Sequence, residues 1–244
     1  MSYLQNDSLK ASGLVLLKSA NYNRWQYNQF RNYIGEKVLE IGCGLGNLTQ
    51  FLVTDTKYLL SVDTKPEAVE SCRQRLSVFP SRNNFSIRCH DVLTEGLNDR
   101  TDFDTVVLSN VLEHIGNDFD ALCKCHDILA TTSGILLLLD PAHQFLYGTL
   151  DKESGHLRRY SKKDITGLAN QSGFKVIDIH AFNFIGAIGW WMNYCLLRRK
   201  DTNNKETSLQ VRLFDKYIVK PSEYIESRTR PLVGLSYIAI LRAD

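Results

Sequence analysis

The sequence predicts an α/β fold built on a parallel, doubly wound sheet. Three observations predict it. From residue 37 onward, short apolar runs alternate with helix-period segments. A glycine-rich turn, Gly42-Cys43-Gly44-Leu45-Gly46, directly follows the first apolar run. Asp63 stands twenty-one positions after Gly42, at the end of the next run, Tyr58-Leu59-Leu60-Ser61-Val62. Alternation of this kind makes strands parallel and covers both faces of the sheet with helices. Glycine lets backbone pass close to a ligand where a side chain would collide. An acid at the second strand end can bind both hydroxyls of a ribose. Together the turn and the acid point to a nucleoside-bearing cofactor.

Element by element, residues 1–34 read as a helical, aromatic-rich cap. Its Tyr22, Trp25, Tyr27, Phe30 and Tyr33 are too closely spaced to share one helix face, so some must face a ligand cleft or a partner. Next come strand 37–41, helix 46–53, strand 58–62 and helix 66–77, the last begun by Pro66 where a missing N–H costs nothing. Strands 84–88 and 104–108, helix 118–130 and strand 134–139 complete the alternation. In helix 118–130, Phe119, Leu122, Cys123, His126 and Leu129 are expected on the buried face, with Cys125 pointing elsewhere. Ser161 and Asp164 form a capping box for helix 165–171, and Gly173 ends it. Residues 175–181 and 234–241 alternate as strands. The fifty or so residues between them have the length of a lid or binding element rather than an idle loop. The hydrophilic run 199–207 is expected to link two lid helices. One domain results: cap 1–34, core 35–181, lid insertion 182–232 and last strand 233–244.

Composition narrows the function classes. A formal charge of +2 on 244 residues gives no concentrated basic stripe, so no nucleic-acid partner is expected. The six cysteines lack paired C-x-x-C spacing, which indicates neither a disulfide framework nor a structural zinc site and fits a reducing, cytoplasmic setting. No basic leader followed by a long apolar run opens the sequence. The longest apolar stretch, 182–197, falls short of the about 20 residues a spanning helix needs, although peripheral membrane contact is open to it. Nothing in the sequence fixes an oligomeric state.

The turn reads G-x-G-x-G, with Asn47 where a dinucleotide fold would place a third glycine. With Asp63, Asp91 and the run Phe103-Asp104-Thr105-Val106-Val107-Leu108-Ser109-Asn110-Val111-Leu112-Glu113-His114-Ile115, residues 36–180 resemble the class I S-adenosylmethionine (SAM) methyltransferases. The resemblance implies a Rossmann-like sheet of seven strands, the last antiparallel, with SAM as cofactor. It implies that Glu40, Gly42, Cys43 and Gly44 surround the methionine end and the adenosine. Asp63, with Thr64 beside it, would take the ribose, and Asp91 with Val92 the adenine. Asn110 and Val111 would lie along the methionine portion, with Tyr22 of the cap also at the cofactor. For Asp91, the N-cap of a helix stands as a second reading.

Methyl transfer from a sulfonium needs acceptor, methyl carbon and sulfur in line, and a hydroxyl acceptor must also lose a proton. Three places near strand ends offer a base: His114, His143 in Asp140-Pro141-Ala142-His143, and His156 in Gly155-His156-Leu157-Arg158-Arg159-Tyr160. Arg158, Arg159 and Tyr160 are expected to orient an anionic or polyhydroxylated acceptor, and Trp190 and Trp191 to close the lid over it. Both arginines have an alternative as partners of Asp151 or Glu153. His114, His143, His156 and Asp140 are ligand types, but no two share a ligand spacing on one helix, and no metal is expected. The sequence thus points to a SAM-dependent methyltransferase acting on an oxygen, less readily a nitrogen, of a small-molecule, glycan- or lipid-linked acceptor. The alternatives are a non-catalytic SAM-binding scaffold and an NAD-dependent dehydrogenase.

Overall fold

The computed structural model describes residues 19–79, 84–97, 102–199 and 205–244. In chain order the elements are α1 (Ala20–Phe30), β1 (Lys37–Ile41), α2 (Thr49–Asp55), β2 (Tyr58–Asp63), α3 (Pro66–Leu76) and β3 (Phe85–Cys89). The short α4 (Val92–Glu95), β4 (Thr105–Ser109), α5 (Asp118–Leu129), β5 (Ile135–Pro141), α6 (Thr149–Ser154) and α7 (Lys162–Gln171) follow. The chain closes with β6 (Phe174–Phe182), α8 (Phe184–Trp190), α9 (Lys205–Leu213), α10 (Val219–Thr229) and β7 (Ser236–Ala243). One π-helical turn, Trp191–Leu196, continues α8, and another, Phe214–Ile218, joins α9 to α10.

All seven strands form one sheet in the order β3-β2-β1-β4-β5-β7-β6. Only β7 runs antiparallel, pairing with β5 and β6. The predicted architecture, including the reversed last strand, is the observed one. Strands covered on both faces read as continuous apolar runs rather than alternating ones. Accordingly Leu39, Val106, Leu108, Leu136 and Leu138 bury one face under α5 and α7, with Leu122, Leu129 and Ile165. Val38, Leu59, Val107, Leu137 and Ile240 bury the other face with Trp25 of α1, Leu52 of α2 and Leu76 of α3.

Two local expectations need correction. Helix α2 starts at Thr49 rather than residue 46, because Gly44 and Gly46 sit at φ +51° and +75°, outside helical space. On α5 the buried stripe is Ala121, Leu122, Cys125 and Leu129, while Phe119 is exposed and Cys123 only half-buried. Cys125 lies three residues after Leu122 and four before Leu129, so it belongs to their face, and the stripe centres a quarter-turn from the expected one.

The segment between β6 and β7 is helical, as expected, but it is not a detachable lid. Asn183, at φ +65°, turns the chain out of β6, and its side chain caps α8 by accepting the Gly186 N–H at 2.8 Å. Glu226 of α10 accepts the Asn183 and Phe184 N–H groups at 2.9 and 2.8 Å. Val219 of α10 has no exposed surface and shares a core with Tyr22, Trp25 and Phe182. The closely spaced aromatics of α1 are thereby explained: Tyr22, Trp25, Tyr27 and Phe30 are all buried, sandwiched between the sheet side and the insertion, and no ligand is needed to cover them. The expected linker 199–207 lies partly outside the described residues, and from Lys205 onward it is already helix. Among the described residues no helix is long and apolar enough to cross a membrane.

The first N–H groups of a helix lack internal partners. For α1 the acceptor comes from the other end of the chain: Asp215 takes the Tyr22 N–H at 2.9 Å and the Asn21 N–H at 3.4 Å, and its carbonyl takes the Asn21 side-chain amide at 3.0 Å. Asp215→Ala leaves these backbone donors without their carboxylate in a largely buried place, and urea denaturation should register a loss of about 1–3 kcal/mol. A loss below about 0.5 kcal/mol, the range of an ordinary surface change, would mean that the cap does not hold α1 to the insertion.

Candidate active site

Strand order reverses between β1 and β4, and the loops leaving their C-terminal ends diverge there, which is where open α/β sheets bind ligands. On the β1 side the chain enters the glycine turn with Gly42 at φ +83°. A Cβ on Gly42 would lie 2.3 Å from Val111 Cγ2, so the chain's own β4 loop already calls for glycine here. At Gly44 the opposite holds: φ is +51° and nothing lies within 4 Å of an added Cβ. Open space flanks the turn at that point. Asp63, at the end of β2, accepts the Gly44 N–H at 2.9 Å and the Lys65 N–H at 2.9 Å, so it fixes the turn as well as facing it.

The other residues expected at the cofactor fall into two groups. Thr64 and Asn110 are exposed, Val111 is half-buried, and Asn110 adopts φ +55° where β4 ends. Asp91 is the N-cap of α4: its Oδ1 accepts the Leu93 and Thr94 N–H groups at 3.2 and 3.3 Å, which leaves Oδ2 for a ligand. By contrast, the Cys43 and Val92 side chains are buried in the two cores. Tyr22 packs against Trp25, Phe182 and Phe214, with ring centroids 5.9–6.4 Å away, and belongs to the α1 interface rather than to this site.

Glu40 is also internal. It lies within β1, 3% exposed, and accepts the Ser61 hydroxyl at 2.7 Å. Burial pushes its pKa up to about 7 against the pull of the Ser61 and Thr49 hydroxyls. It therefore braces β1 to β2 just beneath the turn. The folded state holds this proton up to about pH 7, whereas the unfolded chain releases it near 4.5. Stability from this group is thus complete below pH 4.5 and is lost as pH rises to 7, by about 3 kcal/mol. Glu40→Gln should remove that part of the decline between pH 4.5 and 7.5 in denaturation curves. An unchanged pH slope in the variant would show that Glu40 ionises freely in the fold.

On the β4 side the chain forms a single turn, Leu112–His114, that places Glu113 inward and His114 outward. The loop after β5 folds back over it. The Leu157 N–H donates to the Glu113 carbonyl at 2.9 Å, and His156 lands beside Glu113 and His114. The His114 and His156 rings meet edge-to-face at 4.8 Å, and His156 Nε2 is 3.8 Å from Glu113 Oε1. His156 Nδ1 lies 2.8 Å from Asp151 Oδ1; because a carboxylate only accepts, Nδ1 is the donor and Nε2 is the nitrogen that faces Glu113. Desolvation of the part of its ring that the protein covers, then the neighbouring His156, hold the His114 pKa down to about 4 although the residue as a whole is exposed. Glu113 and Asp140 have no exposed surface; among the described residues no N–H or O–H group makes a well-formed hydrogen bond to their carboxyl oxygens, and the two carboxyls lie close enough to interact with each other. Burial raises both pKa values, Asp140 to about 7 and Glu113 well above the usual carboxylate range.

His143 does not join this group. At φ +61° it turns toward Phe145 and Tyr237, with ring centroids 5.1 Å from each, and burial and the Arg159 charge hold its pKa below the ordinary value.

The three residues expected to grip an acceptor are engaged elsewhere. Arg159 is 4% exposed: its Nε and Nη2 hold Asp151 at 2.9 Å each, and its Nη1 donates to the Ala142 carbonyl at 3.1 Å. Arg158 pairs with Asp118 at 2.5 Å and donates to the Gly116 carbonyl. Tyr160 is 2% exposed and donates to Asp118 at 3.0 Å. Polar residues massed in a loop bind one another here, and the correction is that this segment builds the site without lining it. The pairing with Asp151 left open for both arginines is found for Arg159 alone, whereas Arg158 pairs with Asp118. Trp190 packs its ring 4.8 Å from the Arg159 guanidinium and donates to the Leu146 carbonyl at 3.0 Å, whereas Trp191 stays exposed. Asp151 and Asp118, which organise the loop, were not singled out as site residues; an acid between Gly148 and Gly155, five residues before a histidine, was the available signal.

Comparison with known proteins agrees with this geometry. A family model for a methyltransferase domain matches residues 39–136, from β1 to the start of β5. Ribosomal RNA small subunit methyltransferase A of Mycoplasmopsis synoviae is 30% identical over 139 residues, 57% of this chain and 51% of that protein. The mitochondrial ubiquinone biosynthesis O-methyltransferase of Schizosaccharomyces pombe is 33% identical over 90 residues, 37% of this chain and 32% of that protein. The chain thus spans about half the length of the first of these curated relatives and about a third of the second. Among solved structures, a candidate methyltransferase of Bacillus halodurans C-125 superposes with a TM-score of 0.60 at 18% identity, covering 89% of this chain and 96% of that one. With a methyltransferase-domain match that begins in the strand before the glycine turn and the reversed seventh strand in place, the chain has the fold of the class I methyltransferases.

Proposed function

We propose that the protein transfers the methyl group of SAM to a hydroxyl oxygen of a small-molecule, glycan- or lipid-linked acceptor. The observation that carries this reading is the juxtaposition at the sheet reversal: an open-sided glycine turn fixed by Asp63 on one strand end, and the Glu113, His114 and His156 cluster on the next. Space beside Gly44, a carboxylate at the end of β2 and the spare oxygen of Asp91 fit a ribose and an adenine amino group. The missing third glycine argues against a pyrophosphate and so against NAD.

Oxygen is favoured over nitrogen because the cluster offers nitrogen lone pairs where a hydroxyl would shed its proton. The name of the fission-yeast relative, an O-methyltransferase, supports the same choice. Exposed Ile188, Trp191, Met192, Leu196 and Leu197 around the end of α8 support an apolar or lipid-linked acceptor. All six cysteines are free thiols, which supports a reducing, cytoplasmic setting. The other relative is named for ribosomal RNA, so an RNA acceptor belongs among the trial substrates despite the near-neutral charge.

Calorimetric titration with SAM and with NAD tests the cofactor: SAM should bind, NAD should not, and the reverse would sink the proposal. Asp63→Ala should weaken SAM binding by about 1.5–3 kcal/mol, the range for hydrogen bonds involving a charged group. Unchanged affinity would remove Asp63 from the cofactor site. Once an acceptor is found by radiolabelled methyl transfer, His156→Ala should lower kcat roughly 10²–10⁴-fold at nearly unchanged SAM affinity, and His143→Ala should stay near wild type. A methyl-transfer loss confined to His143→Ala would relocate the chemistry to the other side of the loop.

A further inference from the structure

We infer that Glu113, His114 and His156 form a binding site for a divalent transition-metal ion. One ligand atom from each residue can be chosen so that all lie within 4.8 Å of one another. Their sequence separation hid this: Glu113 and His114 follow β4, and His156 arrives forty-two residues after His114, on a loop folded back over the sheet edge.

Two further observations point to a ligand here. Glu113 is fully buried, yet among the described residues no N–H or O–H group makes a well-formed hydrogen bond to either carboxyl oxygen, and its near neighbour Asp140 is another carboxyl. A buried carboxylate without donors is costly, and a cation beside it removes the cost. The second is the setting of His156. Asp151 binds its Nδ1, and Asp151 is itself held by Arg159 and by the Gly148 N–H, so Nε2 is held 3.8 Å from Glu113 Oε1. A carboxylate holding the far nitrogen of an imidazole is the usual outer support of a metal-bound histidine.

Two imidazoles and one carboxylate suit Zn²⁺, Mn²⁺, Fe²⁺ or Co²⁺ better than the all-oxygen shells of Ca²⁺ and Mg²⁺, and three protein ligands leave coordination positions open. Bonds of about 2.0–2.2 Å require the widest pair to close by roughly 1–1.5 Å. Exposed His114 is the side chain free to move.

The use of such an ion rests on the O-methylation reading, although the site itself does not. An acceptor hydroxyl bound to the ion loses its proton to water more readily. Its oxygen then forms the bond to the methyl carbon while the carbon–sulfur bond breaks, and that electron pair stays on sulfur as a neutral thioether. In this arrangement His156 is a ligand and no free base is required.

The test is titration of the chelator-treated full chain with Mn²⁺, Co²⁺ and Zn²⁺, each alone, without SAM or acceptor, followed by calorimetry and by the visible absorption of bound Co²⁺. One ion per chain is expected. His114→Ala and His156→Ala should each weaken binding by more than the about 10–100-fold that loss of an outer partner costs, and Asp151→Asn by about that amount. Circular dichroism checks folding, and if the buried substitutions unfold the chain, exposed His114→Ala carries the test. The inference is overturned if folded wild-type protein binds none of the three ions at millimolar concentration, as it would if Glu113 and Asp140 instead shared a proton. It is equally overturned if His114→Ala and His156→Ala bind as tightly as wild type. Because no step of methyl transfer is read, its outcome is independent of whether SAM is the cofactor.

Discussion

A buried carboxylate, Asp151, organises the chemistry-bearing edge of this protein. With no exposed side-chain surface it needs compensation, and it receives it from Arg159, from the His156 ring and from the Gly148 N–H. Those three partners close the long connection between β5 and α7 on itself. Through Arg159 Nη1 and the Ala142 carbonyl they also tie the connection back to the end of β5. The same closure carries His156 over the end of β4 and sets it against Glu113 and His114. Removing one partner of such a buried pair strands the other charge, which is far costlier than losing a surface ion pair. The position of His156 is therefore a consequence of loop closure, and the order of the site follows from a pairing that lies behind it.

The opposite wall has a similar logic on a smaller scale. Asp63 holds the Gly44 N–H and Lys65 N–H, so the turn beside the open space is braced by the chain's own carboxylate. Glu40 braces β1 against β2 just below. The insertion between β6 and β7 is tied to the rest of the fold: Asp215 caps α1, Glu226 holds the start of α8, and Val219 enters the core. Prior order in both walls is what an in-line displacement needs, because positioning supplies much of its acceleration.

Local signals in the chain carried the fold well. Apolar runs of strand length, Pro66 at a helix start, the Ser161–Asp164 cap and the glycine turn each act within a few residues, and each element they mark is present. The reversed seventh strand came from family resemblance, not from any local signal. The candidate site was only half legible. Gly44, Asp63 and Asp91 sit at strand ends, where sequence position nearly fixes spatial position. Arg158, Arg159 and Tyr160 do not. A loop rich in charge reads the same whether its groups face solvent, a substrate or one another, and the deciding partners, Asp118 and Asp151, lie eight to forty-two residues away. The α5 face failed for another reason: Phe119 is apolar and correctly spaced, but it falls in the helix's first turn and is exposed there. Convergence of His114 and His156 is a tertiary fact with no counterpart in spacing.

The account stands on the two walls of the sheet reversal serving one reaction. A crystal structure with S-adenosylhomocysteine bound tests this most directly. The account predicts the adenosine between Asp63 and Asp91, the homocysteine along the Gly44 turn, and the sulfur facing the Glu113, His114 and His156 cluster. A ligand seated elsewhere, or one in this groove with its sulfur turned away from that cluster, would contradict it.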